Sequence, residues 1–265
     1  MHPPGPPQTL TVSRSAPPDL LRVDALRKSF GTKNVLSGVS FQVDRGGILS
    51  ILGRSGTGKS VLLRCLVGLL PYDSGEVRYL GKPLAHRAHM HRLRTASSYV
   101  FQHNALFDSV TVFENVQMPL RARGLGSAAE WDAKTRAILE RMELLDAARR
   151  YPEELSGGMQ KRLAVARALV TDPELVFFDE PTAGLDPLRR NAVFEMIARL
   201  QSERNFTAVL VTHDVQEALV VSSQVLWLEE GAVRFWGTPS QFSASRDELL
   251  CKFRDNLQAL RTSLA

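Results

Sequence analysis

The run Gly47-Ile48-Leu49-Ser50-Ile51-Leu52-Gly53-Arg54-Ser55-Gly56-Thr57-Gly58-Lys59-Ser60-Val61 decides how this chain folds. Gly47 to Leu52 reads as a short apolar strand. Gly53 to Ser60 fits the pattern G-x-x-x-x-G-K-[ST], and the apolar stretch Val61 to Leu70 reads as a helix buried against a sheet. Glycines let a phosphate approach the backbone closely, and the free N–H groups at a helix start point at it. On this reading the backbone of Gly53, Arg54, Ser55, Gly56, Thr57 and Gly58 cradles the phosphates of a nucleotide. Lys59 neutralises the β and γ oxygens, and the Ser60 hydroxyl holds magnesium.

A second glycine turn, Leu155-Ser156-Gly157-Gly158-Met159, also leads into a helix, expected over Gln160 to Val170. The chain thus has two anion sites but one complete phosphate loop. Working outward, strands are expected around Leu20 to Asp44, Val77 to Leu80, Ser98 to Gln102, Leu175 to Phe178 and Phe206 to Val211. Helices are expected at Pro187 to Gln201 and Val215 to Val221, and a hairpin at Gln224 to Trp236, with Trp227 and Trp236 packed inside. Apolar residues at helical spacing from Ala128 to Arg150 read as a helical insertion. Continuously apolar strands alternating with helices predict an α/β fold with a mainly parallel sheet covered on both faces. Ligands on such sheets bind beyond the carboxyl ends of the strands. The glycine loop, Asp179-Glu180 and His213 each follow an expected strand, so they converge on one edge.

The chemistry of these residues suits phosphoryl transfer. Asp179, at a strand end downstream of the phosphate loop, can hold magnesium through water, and Glu180 can polarise an attacking water as general base. His213 can donate a hydrogen bond to the γ-phosphate, and Gln102 can ligate magnesium or the attacking water. Taken alone, a strand-end histidine is more often structural, and Gln102 would be unremarkable.

Together, Gly53 to Ser60, Gln102, Leu155-Ser-Gly-Gly158, Phe178-Asp-Glu180, Ala183-Gly-Leu-Asp186 and Thr212-His213 occur in the order and spacing of an ABC transporter ATPase subunit, which the chain resembles from about Leu20 to Thr238. The resemblance implies a P-loop NTPase with a RecA-like core, an antiparallel β subdomain and an inserted helical subdomain near residues 103–165. It implies ATP and Mg2+ as cofactors and a head-to-tail homodimer in which Ser156, Gly157 and Gly158 face the γ-phosphate held by the other subunit. By the same resemblance Phe30 stacks on adenine and Asp186 lies in the loop that crosses the dimer interface. Val61 stands where many members have a threonine touching the α-phosphate, and Met159 where glutamine is usual. With Phe101 to Val116, Pro119-Leu-Arg121 and Ser156 to Arg162, these departures look like the ATPases of Mla/Mce-type lipid transport systems. That likeness implies a membrane permease and an Mce-domain lipid-binding protein as partners, a place on the inner face of the cell membrane, and no nucleic acid. The alternatives are the ATPase of a nutrient importer and, less favoured, a non-transport ABC ATPase acting on nucleic acid.

Composition sets the outer bounds. The chain has 265 residues, enough for one α/β domain of about 19–245 with a full core. A net charge of +5 is modest and reads as solvated surface. Two cysteines, Cys65 and Cys251, do not make a disulfide scaffold. Residues 1–18, rich in proline, are expected to be a disordered tail, and 246–265 a helical one. No apolar run approaches a membrane span of roughly 18 residues. Ala105, Leu106, Phe107, Val110, Val112 and Phe113 either line a groove for a partner helix or fill the helical subdomain's own core. His86, His89 and His91, set among Arg87, Arg92 and Arg94, lack the acidic or cysteine partners of a metal site and read as a solvated basic face.

Overall fold

Alternation of side chains along buried strands builds two cores on one sheet. The computed structural model describes residues 19–253. Its strands are β1 (Leu21–Phe30), β2 (Lys33–Val43), β3 (Ile48–Leu52), β4 (Ser74–Tyr79), β5 (Lys82–Pro83), β6 (Ser97–Val100), β7 (Leu175–Asp179), β8 (Thr207–Val211), β9 (Gln224–Glu229) and β10 (Ala232–Gly237). Helices are α1 (Lys59–Leu66), α2 (Arg87–Ala96), α3 (Val112–Arg123), α4 (Ala128–Arg141), α5 (Gly157–Leu169), α6 (Pro187–Arg204), α7 (Val215–Val221) and α8 (Pro239–Ala244). The larger sheet runs β10-β9-β3-β8-β7-β6, parallel throughout except for the β9–β10 hairpin. Successive strand residues point to opposite faces. Val176, Phe178, Ala208 and Leu210 therefore join one core with α3 to α6. Leu175, Phe177, Val209 and Val211 join the other with α1 and the first sheet. This two-sided burial is why these strands are apolar without a break. The first sheet, β2-β1-β4-β5, is antiparallel, as expected.

Two local features depart from the sequence reading. The helix α2 was not expected. It buries only Leu93 and is otherwise polar, so it lacks the apolar stripe by which a helix is read from sequence. It carries His89 and His91, with His86 just before it, and the His89 ring nitrogen Nδ1 lies 2.8 Å from the Pro83 carbonyl. Among the described residues no group of three or more histidine, cysteine or acidic side chains is placed to hold a metal ion. Trp236 does not pack inside. It is 41% exposed because β10 is the edge strand of its sheet, whereas Trp227 on the neighbouring strand is fully buried. The helix α3 contains Pro119, tolerated within a segment whose start is fixed by a reciprocal cap between Thr111 and Glu114.

Within the expected helical subdomain of 103–165 lie α3, α4 and the first part of α5, and α3 packs against both of the others. Residues 248–253 are helical. The expected tail at 1–18 and the rest of the C-terminal tail, 254–265, lie outside the described residues. None of the described helices is long and apolar enough to cross a membrane.

Candidate nucleotide site

The sheet order places β3, β8, β7 and β6 side by side, so the loops after them share one edge. The phosphate loop leaves β3, Gln102 follows β6, Asp179 ends β7 with Glu180 next, and His213 follows β8. Glycine is required in the loop for two distinct reasons. Gly53 (φ +151°) passes so close to the neighbouring strand that a Cβ would run into the Leu228 carbonyl oxygen. Gly58 caps α1 in the left-handed region at φ +100°. A Gly53→Ala change is expected to lower the unfolding free energy by about 2 kcal/mol, the scale of overpacking plus backbone strain, seen as a lower urea midpoint at unchanged m.

Lys59 is nearly buried, and its ammonium donates to the Gly53 and Arg54 carbonyls, each at 2.9 Å. Burial lowers its pKa, while the charges of Glu180 and Asp179 oppose that shift. Glu180 Oε1 lies 3.9 Å from the ammonium. The other Glu180 oxygen accepts from His213 Nδ1 at 2.6 Å, with the carboxylate taken as ionised. Glu180 itself adopts φ +50°, a left-handed conformation uncommon outside glycine and often found at functional positions. Beneath His213, Asp214 is buried and held by Thr182 Oγ1 at 2.7 Å and by Arg190 on α6 at 2.6 Å.

Asp179 is 1% exposed and accepts two hydrogen bonds, from Ser60 Oγ to Oδ1 at 2.6 Å and from the Tyr99 hydroxyl to Oδ2 at 2.8 Å. Burial first, and then the neighbouring carboxylate, push the Tyr99 phenol well above its usual range, so it remains a donor. The hard oxygens of Ser60, Asp179 and the Gln102 amide suit magnesium, which takes few protein ligands and keeps water and phosphate oxygens. Because Ser60 gives its proton to Asp179, its lone pairs are free for a cation.

The remaining expected residues are spread around this centre. Phe30, at the end of β1, is 49% exposed with the Lys28 ammonium 5.3 Å from its ring centre, leaving a face open for stacking. Asp186 caps α6 by accepting from the Arg189 amide. Val61 packs partly buried against the core beside the first sheet. Ser156 caps α5, and beside Gly157 and Gly158 nothing lies within 4 Å of where a Cβ would stand, so this turn is open to a ligand. Ser156 and Gly158 open onto a cavity of about 390 Å³ shared with Met159, Arg162, Arg189 and Met196. No phosphate-loop residue, nor Gln102, Asp179, Glu180 or His213, lines that cavity.

Sequence reasoning missed the groups that hold the site in shape. Tyr99 is one; its place three residues before Gln102 on an expected strand gave no sign that it reaches Asp179. Lys161 and Arg167 of α5 are others. Lys161 is 6% exposed and donates to the Gln102 carbonyl at 2.7 Å, and Arg167 donates to the Asn104 and Ala105 carbonyls at 2.8 Å. These two cations tie the helix that starts at Ser156 to the loop that carries Gln102. The apolar run after Gln102 divides instead of forming one groove. Val112 is fully buried, Leu106 and Phe113 pack against the core, and Phe107 stands half exposed beneath the Arg167 guanidinium.

A phosphate loop between a buried parallel strand and a helix, with a carboxylate pair at the end of a nearby strand, defines a P-loop nucleoside triphosphatase. The family model described as ABC transporter matches residues 36–183, more than half of the chain. The probable amino-acid ABC transporter ATP-binding protein y4tH of Sinorhizobium fredii is 37% identical over 243 residues, covering 87% of this chain and 94% of that protein. The aliphatic sulfonates import ATP-binding protein SsuB of Pseudomonas putida is 38% identical, over 84% of this chain and 80% of its own length. Among solved structures, the dimeric post-hydrolysis state of the ATP-binding cassette MJ0796 bound to ADP and Pi superposes with a TM-score of 0.74 at 29% identity, covering 83% of this chain and 98% of that one. The chain belongs to the ABC transporter family as an ATP-binding subunit, and it is an ATPase.

Proposed function

We infer that this chain binds Mg2+-ATP on its own phosphate loop, closes as a head-to-tail homodimer over two nucleotides, and drives a separate membrane permease. The observation that carries this reading is the separation of the two glycine turns. The phosphate loop lies at the edge shared by Asp179, Glu180 and His213, whereas Ser156 and Gly158 open onto a cavity that none of those residues lines. On this reading one chain completes neither site by itself, and a second copy supplies the missing turn. Lys59 and the loop amides stabilise charge on the transferred phosphoryl group, Glu180 activates water, and His213 holds the γ-phosphate. Magnesium, held by Ser60 and through water by Asp179, with Gln102 beside it, supplies further charge neutralisation. Phe30 stacks on adenine, and Asp186 lies at the interface between copies.

For the cargo, the relatives favour a nutrient importer over the lipid reading. Relatives named for amino acids and for aliphatic sulfonates match at nearly the same identity, 37% and 38%. The cassette is thus common to several polar cargoes, and the permease chooses among them. The lipid reading and its Mce-domain partner rest on Val61, Met159 and the stretch after Gln102, and draw no support from those relatives. Co-purification from membranes, followed by reconstitution of the complex in vesicles, tests the choice. ATP-dependent movement of a small polar solute, lost in Glu180→Gln, is expected; ATP-dependent transfer of phospholipid instead would reverse it.

A further inference from the structure

Asp179 is a buried carboxylate with each oxygen tied to a different element: Oδ1 to Ser60 at the start of α1, and Oδ2 to Tyr99 on β6. The strands β6 and β7 are paired, with Tyr99 in register with Phe177, so the phenol reaches Asp179 from a fixed neighbouring strand. Its ring is further set by Phe101, whose ring centre lies 4.4 Å away. We propose that Tyr99 is a positioning residue of the magnesium site, holding the Asp179 carboxylate in the plane that keeps Ser60 aimed at the metal.

The physical reason is rotational. The terminal torsion of an aspartate is broad, and a carboxylate anchored through one oxygen turns easily. If the phenol hydroxyl is removed, the nearest remaining cation to Oδ2 among the described residues is the guanidinium of Arg64, 3.9 Å away and half exposed. That separation is too long for a direct hydrogen bond. Oδ2 then swings toward Arg64, and the turn carries Oδ1 off the Ser60 hydroxyl. Ser60 loses the acceptor that orients its proton, so its lone pairs no longer face the metal. The phosphate-loop amides and Lys59 bond neither to Tyr99 nor to the Oδ2 side of Asp179, so nucleotide binding without metal does not change.

The inference rests on reading Ser60 and Asp179 as magnesium residues, and the experiment separates the two. Tyr99→Phe keeps the ring and its contact with Phe101. ATP binding to the purified full chain is measured by calorimetry in EDTA and across a magnesium titration, for the wild type, Tyr99→Phe and Ser60→Ala. The expected result for Tyr99→Phe is a half-saturating magnesium concentration raised about ten-fold, the scale of one hydrogen bond to a charged group, with affinity in EDTA unchanged. Ser60→Ala is expected to remove the magnesium dependence. If Ser60→Ala keeps that dependence, the reading of the site falls and the role of Tyr99 with it. If Ser60→Ala behaves as expected but Tyr99→Phe needs no more magnesium than wild type, the positioning role alone is overturned. Equal weakening of Tyr99→Phe with and without magnesium overturns it too, because it marks a general structural effect.

Discussion

Glu180→Gln lowers steady-state phosphate release by about 10²–10⁴-fold, the range for removing a general base, while ATP still binds. Glutamine has the same shape as glutamate but cannot accept a proton from water. The proposed function gives that task to Glu180. One oxygen lies 3.9 Å from the Lys59 ammonium and the other accepts from His213. Glutamine keeps one oxygen, enough to accept from His213, and gives up the attraction to Lys59, while the Glu180 amide stays bonded to the Val211 carbonyl. Folding and nucleotide binding are therefore retained. With hydrolysis blocked, the ATP-bound pair of subunits does not reopen, so light scattering in ATP and magnesium should show a dimer. A variant that still turns over at a rate near wild type would show that another group activates the water.

Lys59→Met has the second large effect and a different signature. Here kcat/KM falls by about 10²–10³-fold, the scale of losing one preorganised charge from the reacting phosphate, and ATP affinity falls with it. The ammonium is nearly buried and already donates to two carbonyls of its own loop. On the proposed reading, a phosphate entering the loop meets a cation placed beforehand. Methionine fills the same space without charge and leaves those carbonyls without their donor. Binding measured apart from turnover distinguishes the two variants: Glu180→Gln keeps ATP and Lys59→Met does not. If Lys59→Met bound ATP as tightly as wild type, the phosphates would not sit where the loop places them.

The fold was legible because its signals are local. Gly53 to Ser60 can be read without knowing what packs around it, and the two-sided burial of β3, β7 and β8 writes itself as mainly apolar runs, interrupted inside β3 by Ser50 alone. The edge shared by Asp179, Glu180 and His213 followed from the rule that loops after parallel strands lie together. What escaped were contacts that depend on register between strands or on a side chain reaching across elements. Tyr99 meets Asp179 because β6 lies beside β7, and nothing in Ser98 to Gln102 states that pairing. Lys161 looks like a surface lysine of an amphipathic helix, yet it is buried against the Gln102 carbonyl. Trp236 failed for the converse reason, since an alternating pattern does not say which strand will be the edge.

Subunit mixing tests most directly whether the two glycine turns serve different nucleotides. Lys59→Met disables a phosphate loop, and Ser156→Arg blocks the other turn. In a head-to-tail pair of one of each, both lesions fall in one site and the second site is intact. Phosphate release from an equimolar mixture should therefore rise clearly above that of either variant alone. A mixture no more active than the mean of its two components would contradict the account, placing both turns at a nucleotide held within a single chain.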